Sequence, residues 1–193
     1  GLGIAMQGEA TLTCSLNVMF RSPEFNALHD KGPAYRYVLV GAEGIWATLV
    51  AINGRDNWRL QIVGDENPRD TSLSAVRADI ERAFGKAFPY EVLSVVPWTR
   101  RELVAESYGR GRVLLAGDAV HAMSPTGGFG MNTGIADAVD LSWKLDGILS
   151  GWADPGILAT YEIERRPVGV RAVTEAANNI RRMRAYRPPD RLM

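Results

Sequence analysis

Cysteine is almost missing: Cys14 stands alone in a chain of 193 residues. One thiol excludes an internal disulfide, a CxxC redox pair and any cysteine-built zinc site, and it fits a reducing cytoplasm. Histidine is nearly as scarce. His29 and His121 are the only two, neither has carboxylates or a second histidine at ligand spacing, and no metal site is expected. Charge of one sign is not in excess either, with 22 basic against 22 acidic residues, so no strong field draws the chain onto nucleic acid or an anionic membrane. Arg181, Arg182, Arg184, Arg187 and Arg191 crowd the far end, which a solvated tail explains at least as well as a binding patch. No stretch reaches the ~18 consecutive apolar residues of a membrane span, and Gly1-Leu2-Gly3-Ile4-Ala5-Met6 lacks the charged head of a signal peptide. A soluble, cytoplasmic protein is expected. Internal repeats, low-complexity linkers and a G-x-S-x-G nucleophile elbow are absent as well, since Ser124 is followed by Pro125 and Thr126.

What is present begins with β patterning. From Thr11 to Phe20 apolar residues alternate loosely with small or polar ones, as in a strand with one covered face that should stop near Ser22-Pro23. Tyr35 to Val40 and Ile45 to Ile52 read as a hairpin around Gly41-Ala42-Glu43-Gly44, and Asn53-Gly54 offers a tight turn into a third run, Trp58 to Val63. Residues 11–63 therefore predict an antiparallel sheet. Beyond Pro68, Leu73, Val76, Ile80 and Ala83-Phe84 recur at helical spacing, with Thr71 or Ser72 to cap the start and Gly85 to end it. Glu91 to Val96 reads as a strand, and Glu102 to Glu106 as another after Pro97-Trp98-Thr99.

The character changes at Gly111. Val113-Leu114-Leu115-Ala116 is a short apolar run ending in Gly117-Asp118, as expected of a strand buried on both faces. Ligands gather beyond the carboxyl ends of such strands. An aspartate there can accept hydrogen bonds from sugar-like hydroxyls, although capping a turn is the plainer reading of this dipeptide alone. The loop Ser124 to Gly130 follows, and in it Gly127-Gly128-Phe129-Gly130 stands directly before a helix expected to begin near Asn132 and to end near Gly151. Glycines let backbone approach a flat ligand, and a helix start adds unpaired N–H groups with a partial positive charge. Such a place suits electron-rich oxygen or anionic nitrogen. The dinucleotide fingerprint is a different pattern: Gly128, Gly130 and Gly134 give GxGxxxG, one residue too long, and the apolar strand ends about ten positions earlier. Asp154-Pro155 then starts another helix, which Pro167 should kink or end.

Taken together, Gly111-Arg112-Val113-Leu114-Leu115-Ala116-Gly117-Asp118-Ala119-Val120-His121, Pro125-Thr126-Gly127-Gly128-Phe129-Gly130-Met131-Asn132-Thr133-Gly134, Asp137-Ala138 and Leu141-Ser142-Trp143-Lys144-Leu145 resemble the second FAD-binding motif of the flavoprotein aromatic hydroxylases, the para-hydroxybenzoate hydroxylase-like group. Pro97-Trp98-Thr99 and Tyr161-Glu162-Ile163-Glu164-Arg165-Arg166-Pro167 resemble that group's flanking signatures, and the sheet from Thr11 to Val63 its substrate-binding sheet. Val120, where the group often has alanine, and Ser124, where it often has proline, are departures that do not touch the flavin-holding groups.

The resemblance implies an α+β chain in two parts: residues 1–110 as a partial substrate-binding sheet domain, and residues 111–193 as the C-terminal strand-loop-helix portion of an FAD-binding α/β domain. It also implies that Asp118 accepts a hydrogen bond from the ribityl chain, that Gly117 lets the backbone approach, and that Pro125 lies beside the flavin ring. The glycines Gly127, Gly128 and Gly130 open the loop, and the amides of Met131 and Asn132 face the N1 and C2 carbonyl edge of the isoalloxazine. The implied reaction is reduction of FAD by NADPH or NADH, uptake of dioxygen and transfer of one oxygen to an electron-rich aromatic ring, with no residue of this chain assigned to catalysis. The sheet would wall the ring, and core packing is the better reading of Trp46 and Trp58. His121 is read as structural. Members of the group open with an ADP-binding strand, G-x-G-x-x-G turn and helix that this sequence lacks, which makes a fragment the expectation; strand Val113–Ala116 would then lack its neighbours, and self-association is expected. A non-catalytic small-molecule-binding module that kept the hydroxylase sheet is the alternative, and retention of Asp118, Pro125, Gly128, Gly130 and Asn132 together speaks against it.

Overall fold

A computed structural model describes residues 1–187; Arg191 lies outside the described residues. The chain is α+β and, among the described residues, forms two compact units, residues 13–99 with 183–187, and residues 1–12 with 100–182.

In the first of these units the sheet order is β2-β3-β4-β1-β5, from β1 (Met6–Arg21), β2 (Arg36–Gly41), β3 (Gly44–Ala51), β4 (Asn57–Val63) and β5 (Glu91–Ala105). Antiparallel register sets Leu16 opposite Ile62, Val18 opposite Leu60 and Phe20 opposite Trp58, and Ala47 and Leu49 of β3 continue the same face. Helix α1 (Leu73–Phe84) covers it with Val76 and Ile80. The predicted signals act here as their chemistry requires: the Ser72 hydroxyl accepts the Ala75 N–H, and Gly85 ends the helix in the left-handed region. Asn53 turns the chain into β4 by accepting the N–H groups of Arg55, Asp56 and Asn57 on one carboxamide oxygen at 3.0–3.1 Å. Trp58 stacks on Phe25 with ring centroids 3.9 Å apart. Trp46, the extra residue where the β2–β3 register shifts, packs into the same cluster under the Arg82 guanidinium. Each buried large side chain contributes about 1.5–3 kcal/mol. One expectation fails: β5 is a single strand through Pro97, not two. Among the described residues only β8 (His121–Ala122) pairs with β5 besides β1, at Leu103 and Val104 in the part of β5 that belongs to the same unit as β8, so the missing N–H of Pro97 breaks no second ladder.

The other unit holds β6 (Gly109–Arg110), β7 (Val113–Leu114), β8, α2 (Phe129–Leu149) and most of α3 (Ala159–Ala185). Val104, Ala105, Tyr108, Val120, Tyr161 and Val173 form its core. The apolar run at Val113 is not buried on both faces. β7 pairs only with β6, antiparallel and two residues long, and Val113 is 48% exposed, because no parallel neighbour flanks it among the described residues. Asp154 caps a 3-10 turn, Pro155–Leu158, by accepting the Gly156 N–H at 2.7 Å, and α3 follows. Pro167 does not end α3; its ring is on the exposed side of the helix, where water can serve the carbonyl it leaves unpaired. No helix among the described residues is long and apolar enough to cross a membrane.

Candidate functional site

Just past β7 the chain bends into a 3-10 turn, Gly117–Ala119. Gly117 has φ +60°, a conformation that costs a side-chain-bearing residue about 1–2 kcal/mol. It also lies against α2, since a Cβ placed on Gly134 would stand 3.3 Å from the Gly117 Cα. The Gly117 N–H donates to Asp137 Oδ2 at 3.1 Å. Asp118 projects outward, exposed. Its carboxylate does not cap the turn: no side chain supplies that bond, and Asp118 has no hydrogen-bond or ion-pair partner among the described residues.

The glycine loop forms the second part. The Ser124 and Thr126 hydroxyls share a 2.8 Å hydrogen bond, and the Gly128 N–H closes a turn on the Pro125 carbonyl at 3.1 Å. Gly128 then caps α2 at φ +69° without any side-chain cap. The helix begins at Phe129, three positions before the expected start, because one left-handed glycine suffices to launch it and Gly130 is tolerated in its first turn. This changes the standing of two predicted groups. The amides of Phe129, Gly130 and Met131 precede the first intrahelical rung and lack acceptors in the helix, whereas the Asn132 N–H faces the Gly128 carbonyl as that first rung. The Asn132 side-chain amide donates to the same carbonyl at 3.3 Å. Around these amides the surface is clear: a Cβ on Gly128 would meet nothing within 4 Å, and one on Gly130 only the Met123 side chain at 3.9 Å. Pro125, Gly127, Gly128, Met131 and Asn132 are all exposed.

Beneath both parts lies a buried charge cluster that sequence reasoning did not assign to the site. Asp137 and His121 are fully buried; His121 Nε2 and Asp137 Oδ2 are 2.8 Å apart, and the Arg165 Nε–H donates to Asp137 Oδ1 at 2.9 Å. Burial alone pushes the Asp137 carboxyl up, yet hydrogen bonds from His121, Arg165 and the Gly117 N–H outweigh it and hold the group below the usual carboxylate range. Tyr108 is buried close by, and its phenol is pushed up to about 12 by desolvation, with the Asp137 charge adding. Further along α2, Lys144 is buried between Asp140 at 2.7 Å and Glu164 at 2.9 Å. The helix is thus inside out. Thr133, Asp137, Lys144 and Gly147 face inward, while Met131, Ile135 and Val139 are 75%, 54% and 60% exposed. Polar side chains recurring at spacings of four and seven were the available signal, and apolar periodicity masked it.

An exposed carboxylate without a partner among the described residues, on a turn packed against a helix whose first amides lack acceptors in the helix, can hold a hydroxylated chain and an electron-rich flat ring. Residues 1–176 match the family described as FAD binding domain. The chain is 40% identical to the rebeccamycin biosynthetic enzyme RebC, solved with reduced flavin, at a TM-score of 0.81 over 98% of this chain and 36% of that one. It is 32% identical to aklavinone-11 hydroxylase, solved with FAD and aklavinone, at a TM-score of 0.81 over 94% of this chain and 35% of that one. With 2,4-dichlorophenol 6-monooxygenase of Cupriavidus pinatubonensis it shares 30% identity over 186 residues, 93% of this chain and 31% of the relative. The chain spans about a third of the length of these proteins.

Proposed function

Since the chain belongs to the FAD binding domain family, we propose that it is part of an FAD-dependent monooxygenase that hydroxylates an aromatic, phenol-like ring with NADPH or NADH as reductant. The observation that carries the proposal is the exposed Asp118 carboxylate, without a partner among the described residues, on a turn packed against the same helix whose first amides, those of Phe129, Gly130 and Met131, lack acceptors in the helix. The names of its relatives support the substrate class, because one acts on a chlorinated phenol and another was solved with aklavinone.

FAD, when bound, supplies the redox chemistry with dioxygen. The chain's own residues bind and orient it. Asp118 accepts from a ribityl hydroxyl, and Gly117 keeps the backbone low enough for the chain to approach. Gly127, Gly128 and Gly130 leave the ring's path clear, and Pro125 flanks it. The amides up to Met131, with the helix start behind them, stabilise negative charge on the ring's N1 and C2 carbonyl edge; Asn132 adds its polar side chain at the same turn. By function, residues 111–193 serve the cofactor and residues 1–110 the substrate. On the sheet, the face opposite α1 carries Asn17, Thr48 and Arg59, and Asn17 Oδ1, Thr48 Oγ1 and Arg59 Nε are buried without protein partners among the described residues, as suits a surface that takes polar groups of a ligand.

Titration of FAD into the wild-type protein and Asp118→Asn, followed by flavin fluorescence, tests the reading. Loss of a charge-assisted hydrogen bond weakens binding by roughly tenfold or more. Equal affinity of the two proteins would refute it. Reductant oxidation that rises on addition of a phenol separates a hydroxylase from a non-catalytic binder.

A further inference from the structure

We infer that Asp137 is a positioning residue for the cofactor site: its buried carboxylate sets the peptide that aims Gly117 and Asp118, and His121 and Arg165 hold that carboxylate in register. The inference rests on the flavin reading above. Its basis is a single acceptor serving four segments. Asp137 Oδ2 takes the Gly117 N–H at 3.1 Å and pairs with His121 Nε2 at 2.8 Å, while Oδ1 takes the Arg165 Nε–H at 2.9 Å. The turn, β8, α2 and α3 therefore meet at one group that is wholly removed from water.

Stability alone does not account for such an arrangement. A buried ion cluster is often no more stabilising than apolar side chains of the same volume, and its attested advantage is in fixing geometry. Here the geometry fixed is that of the proposed site. Gly134 and Asp137, three residues apart on one helix face, hold the same turn in two ways. The Gly134 backbone limits how close the turn can come, with room for a Cβ only at 3.3 Å from the Gly117 Cα, and the Asp137 carboxylate draws the Gly117 amide inward. Between them the turn has one position, and Asp118, the next residue, is directed outward. Because ionised Asp137 can only accept, His121 donates from Nε2, and its Nδ1 has no protein partner among the described residues. The histidine that follows the Gly117-Asp118 turn thus acts through Asp137 and not on a ligand.

The test compares wild type, Asp137→Asn, Gly134→Ala and Arg165→Lys, with Asp118→Asn as the control for the flavin reading. FAD affinity is measured by titration, and hydrogen exchange of the Gly117 amide is read by NMR in the flavin-free protein. In Asp137→Asn, exchange at Gly117 is expected to quicken and FAD affinity to fall by roughly tenfold, the weight of one misdirected charge-assisted bond. Gly134→Ala favours the helix but presses the turn, so affinity is expected to fall while the melting temperature does not. A purely structural role predicts wild-type affinity in both, with a lower melting temperature. Unchanged exchange in Asp137→Asn, or faster exchange with wild-type affinity, overturns the inference. Should Asp137→Asn fail to fold, Gly134→Ala and Arg165→Lys decide it, and wild-type affinity in both overturns it. Wild-type affinity in Asp118→Asn overturns the flavin reading and the inference with it, whereas a weakened Asp118→Asn beside an unaffected Asp137→Asn overturns the inference alone.

Discussion

Gly169 offers a sharp measure of how tightly the core around the buried charges is packed. It lies inside α3, where exchanging glycine for alanine ordinarily stabilises by about 1 kcal/mol. The structure reverses that expectation, because a Cβ on Gly169 would overlap the Tyr108 hydroxyl oxygen and touch His121 Cδ2 at 3.4 Å. Tyr108 is 1% exposed and has Tyr161 against it at 5.8 Å between ring centroids, so its ring has nowhere to swing. Overpacking of this kind costs about 1–3 kcal/mol, and a rigid ring belongs in the upper half of that range. Gly169→Ala is therefore expected to destabilise by about 1–2 kcal/mol net, about 2–8 °C in melting temperature for a chain of this size. The Tyr108 hydroxyl has no protein partner among the described residues, so Tyr108→Phe should cost little and should remove the overlapping atom. Paired with Gly169→Ala it should recover the helix gain, leaving a coupling of about 2–3 kcal/mol in a double-mutant cycle, the full weight of the relieved overlap. Thermal denaturation of the four proteins decides the matter: Gly169→Ala melting at or above wild type, or a double variant as unstable as the single, would refute the packing argument.

Acid sensitivity follows from Asp137. Its folded-state pKa is depressed, so the stability it contributes is complete above the unfolded value of about 4 and is lost as pH falls through the folded value. Urea midpoints should drop below about pH 4 in wild type and less steeply in Asp137→Asn; parallel curves would contradict this. The outward stripe of α2 makes a different prediction. Met131, Ile135, Val139 and Trp143 stand exposed at four-residue spacing, an apolar surface of the kind that drives association. Static light scattering of the 193-residue chain should show species larger than a monomer that shrink in Ile135→Lys/Val139→Lys, and a concentration-independent monomer in wild type would count against it.

Much of the fold could be read from residues whose effects are local. Ser72, Gly85 and Asn53 each satisfy neighbouring backbone groups, so α1 and the turn into β4 fall where their side chains put them. The family was legible for a related reason, since the motif that carries the resemblance is nearly one continuous stretch. Three features depended on neighbours that sequence does not display. β5 passes through Pro97 because almost no strand needs the absent N–H; β7 is short and exposed because no parallel strand flanks it among the described residues; Pro167 survives inside α3 because its ring faces water. The hardest to see was Asp137. An aspartate among apolar residues of a helix normally marks the wet face, and only the arrival of His121, Arg165 and the Gly117 amide from three other segments makes the dry face its place.

That convergence has a kinetic corollary. His121 precedes Asp137 by 16 residues and Arg165 follows it by 28, so the carboxylate cannot leave water until partners on both sides of the chain have arrived. Half-assembled, the cluster would hold a dehydrated charge facing one donor too few. Its closure is thus expected after the rate-limiting barrier to folding, where removing the side chain hastens unfolding and scarcely alters refolding. Stopped-flow chevrons of Asp137→Ala would show it, and a slowed refolding arm would place the cluster in the nucleus instead.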